Sequence, residues 1–265
     1  MLRVVTGESV RPGNDDYPWD KFDPVDYLDK NYATMRDDDR QILEFVRDFF
    51  VRTLSDSVDQ AGLRGIDACT GPNLYPALTM LPFCHELTLF DYSRSNVDWL
   101  TSQQVDGWPS WQPVWADFWR ALCEQPVYAR VDRPDMGREL AGRVNIVWGS
   151  IFQLGQDIDV DYDVGTMFFG PESLTSRESE FHSAIDHFLH VLRPNAPFAI
   201  GLMEHSRGFT VGGSDFPATD IGMRDVTEYL SRRTVGLACE RVGYGDQPLR
   251  EGYTGMLVVC GRIAP

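Results

Sequence analysis

The sequence predicts an α/β protein built on a mostly parallel, doubly wound sheet. Short apolar runs closed by turn or acidic residues alternate with stretches of helical periodicity along most of the chain. The first run ends in a small-residue turn, Cys69-Thr70-Gly71-Pro72-Asn73, that leads straight into a helix. The second ends in an acid, Asp91, 24 residues after Asp67. No internal repeat and no linker divides the 265 residues, so one domain is expected over 1–265.

The elements follow in order. Residues 1–16 are polar and contain Gly and Pro, and read as a mobile tail. Residues 17–60 read as a helical segment, with DPVDYLDKNYA followed by Ile42, Leu43, Phe45, Val46, Phe49 and Phe50 at helical spacing. The acids Asp37-Asp38-Asp39 suit a solvated helix start, where they complement the dipole. The core then runs over 61–265, with a first strand ending Ile66-Asp67-Ala68-Cys69 and a helix over Leu74–Leu81. Leu87–Phe90 is the second strand, and a helix follows from about Ser93 to Leu100.

An inserted Trp-rich helix is expected near 108–138, because Trp111, Trp115 and Trp119 recur every fourth residue and would share one face. That face either packs on the domain or walls a substrate pocket. Val144–Trp148 and Asp163–Phe169 are the third and fourth strands, and a helix over Glu178–Leu192 stops at Arg193-Pro194-Asn195. Phe198–Met203 is the fifth strand, Asp225–Arg232 a helix, and Val235–Val242 and Met256–Cys260 the closing strands.

Composition narrows the function. Lys plus Arg number 24 against 40 Asp plus Glu, a formal net charge of -16. Nucleic-acid binding needs a basic stripe, so no nucleic-acid partner is expected; a neutral or cationic small molecule suits the field better. Lys21 and Lys30 are the only lysines, which removes the Gly-Lys-Ser/Thr phosphate loop. Five cysteines without a Cys-x-x-Cys pair argue against a zinc knuckle or a disulfide framework. With no signal-like start and no membrane-length apolar run, a reduced cytoplasmic protein without a membrane partner is expected. His182, His187 and His190 share one helix and read as a solvated or packed helix face, so no metal is expected.

The first turn and Asp91 carry the chemistry. In an open parallel sheet, ligands sit beyond the carboxyl ends of the strands, where small residues let the backbone approach. An acid closing the second strand can accept both hydroxyls of a ribose, or it can cap the next helix. Together the two features indicate a nucleoside-bearing ligand. The G-x-G-x-x-G fingerprint is absent, which weakens a dinucleotide reading.

Four blocks then resemble one family. YLDKNYA (27–33), IDACTGPNLY (66–75), DYSRSN (91–96) and PESLTSRESEFHSAIDHFLHVLRP (171–194) are similar, in order and spacing, to segments of the class I S-adenosylmethionine methyltransferases. The group concerned contains the nicotinamide, phenylethanolamine and indolethylamine N-methyltransferases. The resemblance implies a Rossmann-like three-layer sandwich with a mostly parallel seven-stranded sheet and an N-terminal helical lid. It implies S-adenosyl-L-methionine as cofactor, S-adenosyl-L-homocysteine as product, and a small-molecule substrate for a monomer or weak homodimer.

Carried over position by position, the resemblance puts Tyr27 and Tyr32 over the cofactor. Asp67, Thr70, Gly71 and Tyr75 would surround its methionine part. Asp91 would hold the ribose, with Tyr92 and Asn96 beside it, and Phe168 and Phe169 would flank the methyl-transfer centre. Plain core packing is the other reading of these aromatics. Cys69 replaces the first loop glycine, and the acid that meets adenine after the third strand is missing from WGSIF (148–152), leaving Ser150 or backbone to that task.

On the substrate side the resemblance implies Tyr32, Phe169, Glu172, Glu204, His205 and Phe209. Glu172 matches one amine-binding acid of the family, and His205 stands where the second belongs. An ammonium cannot attack a methyl group, so His205 would take a proton while Glu172 holds the substrate's N–H. The same pair suits an indole attacking through carbon, so N- and C-methylation both stay open. Helix-start charge placement for Glu172 and a strand-end surface position for His205 are the plainer alternatives. Two other classes also remain: a nicotinamide-dependent oxidoreductase, and a non-catalytic protein that kept the fold.

Overall fold

In the computed structural model, residues 11–55, 62–156, 161–243 and 252–265 are described. Residues 1–10 of the expected tail and 56–60 of the expected helical segment lie outside them. The seven strands of the main sheet are β1 (Leu63–Ala68), β2 (Cys84–Asp91), β3 (Val144–Trp148), β4 (Val164–Phe168), β5 (Pro197–Glu204), β8 (Thr234–Val242) and β9 (Gly255–Ile263). Their order is β3-β2-β1-β4-β5-β9-β8; the first five are parallel, and β9 runs against both of its neighbours. Every residue of β4 and β5 is buried, as parallel strands covered on both faces require. The order reverses at β1, whose neighbours are β2 and β4, and this leaves a crevice beyond its carboxyl end.

One polar pair sits inside this apolar sheet. Asp67 and Thr166 are register partners across β1 and β4, and the threonine hydroxyl donates to Asp67 Oδ1 at 2.7 Å. The strand β1 is joined to β2 through α3 (Tyr75–Met80), and β2 to β3 through α4 (Arg94–Val105), whose N-cap is Ser93, and then the Trp-rich insertion.

The N-terminal helical segment is built of two helices, α1 (Pro24–Tyr32) and α2 (Asp37–Leu54). Asp23 caps α1, accepting from the backbone N–H groups of Val25 and Asp26, and Pro24 opens its first turn. Arg36 is extended, and Asp37, Asp38 and Asp39 start a fresh helix because acids favour a helix N-terminus over an interior. Asp38 and Asp39 are each only 2% exposed, so of the acidic run only Asp37 is solvated.

The last residues of the expected tail are packed on the domain. Asn14–Asp16 form a 3-10 turn, and Asn14 is buried, its Nδ2 donating to the Leu174 carbonyl and its backbone N–H to Glu180 of α8 (Glu178–His190). A polar chain can pack in this way because its amide groups find partners.

The Trp-rich insertion is also not one helix. It is a wide π-type turn over Trp111–Trp115, then α5 (Ala116–Leu122), α6 (Pro126–Ala129) and α7 (Met136–Ala141), with prolines at 113, 126 and 134 interrupting it. Trp111 packs on Trp119, ring centres 6.1 Å apart, whereas Trp115 turns to Tyr32 and Phe118. All three are buried and belong to the core.

Unforeseen was a hairpin, β6 (Phe209–Val211) and β7 (Ser214–Phe216), turned by Gly212 and Gly213 at φ +57° and +76°. It pins the N-terminal segment: Gly212 N–H donates to Asp26 at 2.8 Å, and Phe216 packs on Trp19 and Phe22. No helix among the described residues is long and apolar enough to cross a membrane.

Candidate functional site

A cleft of about 760 Å³, counting its open mouth, lies beyond the carboxyl ends of β1 to β4. Its floor is the Cys69–Asn73 turn and its sides are Phe90–Ser93, Gly149–Ile151 and Phe168–Gly170. Trp19, Phe22, Tyr27 and Phe209 close it from above.

The turn after β1 is held from below and from the side. Thr70 donates its hydroxyl to the Asp67 carbonyl at 2.7 Å and its N–H to the Phe90 carbonyl at 3.1 Å. Cys69 adopts φ +57°, the left-handed conformation that suits glycine, so the chain keeps the glycine path at a cost of roughly 1–2 kcal/mol. Its side chain fits because Gly170 faces it; a Cβ at 170 would come within 2.6 Å of the Cys69 Cβ. Gly71, at φ +54°, turns its N–H onto Asp91 Oδ2 at 2.8 Å.

Asp91 gathers donors from two elements. Its Oδ1 accepts from Ser93 N–H at 2.9 Å and from the Asn96 amide at 3.2 Å. Burial raises its carboxyl above the ordinary carboxylate range, against bonds from Gly71, Asn96, Ser93 and Tyr92 that oppose the rise. Tyr92 stacks on Trp148 across the β2–β3 edge at 6.2 Å, and the Arg94 guanidinium lies 3.5 Å over the Trp148 ring. Ser150 lines the cleft, and its hydroxyl accepts from Phe152 N–H.

Asp67 lies under the turn, 1% exposed, and burial pushes its carboxyl up to about 8. Its Oδ2 has no hydrogen-bond partner. A chain of rings then links the N-terminal segment to β4: Tyr27 to Tyr32, Tyr32 to Tyr75, Tyr75 to Phe168 and Phe168 to Phe169, each with centres 5.7–6.0 Å apart. Tyr27, Phe168 and Phe169 line the cleft, whereas Tyr75 is fully buried behind it. Phe169 has φ 55°, a second strained residue at the cleft.

Four of the expected substrate residues stand outside the cleft; Tyr32 is behind it, packed on Tyr75 and lining a small neighbouring cavity. Glu172 is fully buried; its Oε1 accepts from Met203 N–H and from Ser173, fixing the β4 exit against β5. Glu204 is 1% exposed and joins Arg241 at 2.5 Å, Thr254 and Met223 N–H. Burial pushes its carboxyl up, but those bonds outweigh burial and hold it below the ordinary range. His205 caps the end of β5 at φ 57°, its Nδ1 bonded to Asp220 Oδ1 at 2.6 Å on the exposed surface. Neither these three nor Tyr32 line the cleft, while Phe169 and Phe209 do.

Sequence reasoning missed Trp19, Phe22 and Asp39. Trp19 and Phe22, three apart just before the Asp23 cap, fit a face laid over a pocket. Asp39 lines a small cavity beside the cleft, with Tyr27, Tyr32 and Phe169. Of the helical histidines, His182 stacks on Tyr229 at 3.9 Å and His187 bonds the Leu154 carbonyl.

Solved structures share this architecture. The N-methyltransferase NodS from Bradyrhizobium japonicum WM9, in complex with S-adenosyl-L-homocysteine, is 13% identical, with 87% of this chain and 89% of that one covered at TM-score 0.51. The 1,6-didemethyltoxoflavin-N1-methyltransferase of Burkholderia thailandensis is 15% identical, covering 91% and 87% at 0.51. The magnesium protoporphyrin IX methyltransferase of Synechocystis PCC 6803 is 12% identical, covering 84% and 79% at 0.50. The fold is that of the Rossmann-like class I methyltransferases. Within that class the chain belongs to the NNMT/PNMT/TEMT family, whose sequence profile matches residues 12–259. No curated protein matches the sequence significantly.

Proposed function

We propose that this protein transfers a methyl group from S-adenosylmethionine to a small molecule, an amine or an indole-type ring. The observation that carries this reading is the cleft at the β1 switch point, which joins the Gly71 turn, the Asp91 carboxylate and an aromatic roof. The lining fits S-adenosylmethionine: an acid for ribose hydroxyls, small residues at the turn, and rings for a positively charged sulfur.

The residues divide by task. Asp91 would accept from the ribose hydroxyls, sharing its oxygens with Gly71 and Ser93 and releasing Asn96, whose 3.2 Å bond is the longest of the three. Tyr92 and Ile151 border the place for adenine, with Ser150 the polar group nearest to it in sequence. Thr70 and Gly71 shape the methionine end, above Asp67. When bound, S-adenosylmethionine supplies a methyl group on a positively charged sulfur. Phe168, Phe169 and Tyr27 present rings to that charge, which ring quadrupoles attract, and they exclude water from the reacting atoms. The roof of Trp19, Phe22 and Phe209 gives a flat apolar seat for the substrate, and orientation of this kind can supply roughly 7–11 kcal/mol.

The test is turnover with S-adenosylmethionine carrying a deuterated methyl group against a panel of aryl-alkylamines and indoles. A labelled product with equimolar S-adenosylhomocysteine is expected. Labelled product from phenols or carboxylates alone would contradict the amine or indole assignment.

A further inference from the structure

Beside the cleft is a small cavity, with room for about one water-sized group. Tyr27, Asn31 and Tyr32 of α1, Phe169, Met203 of β5 and Met256 of β9 wall it, and Asp39 of α2 is its charged group. Tyr27 and Phe169 also line the cleft, so the two spaces share a wall.

Asp39 is the third residue of α2, and its carboxyl reaches back to the Arg36 backbone N–H, as the acid of a capping box does. That task occupies one oxygen. Oδ2 is buried without a hydrogen-bond partner. A buried polar atom left in this way costs about 1–3 kcal/mol, more for a charged group. The Tyr75 hydroxyl, near enough to feel the Asp39 charge, is likewise buried and unpartnered. A cap alone explains neither.

We propose, resting on the methyltransferase reading above, that Asp39 anchors the reacting nitrogen of an amine substrate and accepts its proton. The nitrogen enters between Tyr27 and Phe169 and meets the carboxylate among rings and thioethers. An ammonium is attracted both to ring faces and to a carboxylate, and the small volume selects a compact head group. The nitrogen gives up one N–H bond, an O–H bond forms at Oδ2, and the electron pair left on nitrogen becomes the nucleophile.

The electrostatics agree with this role. Burial first, then the neighbouring Asp38 charge, push the Asp39 carboxyl up to about 8, against the Arg36 guanidinium and backbone N–H. The Tyr32 and Tyr75 hydroxyls also lie near it, and Tyr27 is a further titratable group of the wall; Phe169, Met203 and Met256 carry no charge. An acid with a pKa near neutrality is matched to proton transfer at physiological pH. A cation entering the cavity displaces the Asp39 proton. Affinity for it therefore rises as pH approaches about 8 and levels off above.

The experiment is calorimetric titration of protein loaded with S-adenosylhomocysteine, using 2-phenylethylamine and tryptamine, with 2-phenylethanol and tryptophol as neutral counterparts. Wild type, Asp39→Asn and the exposed neighbour Asp37→Asn are compared at several pH values between about 6 and 8.5. We expect Asp39→Asn to bind the amines about tenfold or more weakly and without the pH rise, with the alcohols and S-adenosylhomocysteine unaffected. Asp37→Asn should match wild type. Equal amine affinity in Asp39→Asn overturns the proposal, and so does the absence of amine binding to wild type that binds S-adenosylhomocysteine. Failure of wild type to bind S-adenosylhomocysteine overturns the methyltransferase reading instead. If Asp39→Asn loses that ligand through misfolding, Asp39→Ser, which also keeps an acceptor for the cap, takes its place.

Discussion

Asp39 and Asp67 are two carboxyl groups that burial pushes up to about 8, one beside the cleft and one beneath it. In the unfolded chain they ionise near 4, so between about pH 4 and 8 unfolding releases their protons. Their contribution to stability is full below about 4 and is lost as pH rises toward 8. The unfolding midpoint in denaturant should therefore fall between pH 5 and 7.5, and Asp39→Asn should flatten that fall; a midpoint that climbs with pH in both proteins would contradict the assignment. At this scale the sequence was informative where chemistry is local. Asp91, Thr70, Gly71, Phe168, Phe169 and Tyr27 do meet in one cleft. It was silent where burial is decided by distant chain. Asp39 in a run of acids looks solvated until α1 and β9 cover it, and Glu204 is taken up by Arg241, 37 residues away.

Among the elements, the parallel strands were legible because a strand buried on both faces is a continuous apolar run, as in VGTMF of β4. The α1–α2 break, the π-type turn and the hairpin were not. Helical periodicity continues across a short break, and three-residue strands are too brief to show alternation. The Gly212-Gly213 pair was the one available signal for the hairpin. That hairpin also explains how the roof over the cleft is held. A Cβ at 212 would lie 2.8 Å from the Asp23 Cβ, and φ +57° disfavours any side chain there. Gly212→Ala should weaken the contact to Asp26 and free α1, raising the dissociation rate of S-adenosylhomocysteine several-fold with little change in the thermal midpoint. Stopped-flow tryptophan fluorescence, to which Trp19 contributes from its stack on Phe216 at 5.0 Å, follows this, and an unchanged rate would remove the hairpin as the latch.

For the molecule as a whole, the sheet order, the switch point at β1 and the aromatic roof converge on one cleft. The net charge of -16 surrounds it with a field that attracts cations, consistent with an amine substrate and a sulfonium ligand. Cys69, the departure at the first loop glycine, does not break this arrangement, because it takes up the glycine conformation opposite Gly170. The central claim is that this cleft holds a nucleoside ligand on Asp91. The most direct test is calorimetric titration of wild type and Asp91→Ala with S-adenosylhomocysteine, with oxidised NAD in parallel. The account predicts micromolar binding of S-adenosylhomocysteine to wild type, at least about tenfold weaker binding to Asp91→Ala, and none of NAD to either. Equal affinity in the two proteins, or binding of NAD alone, would contradict it.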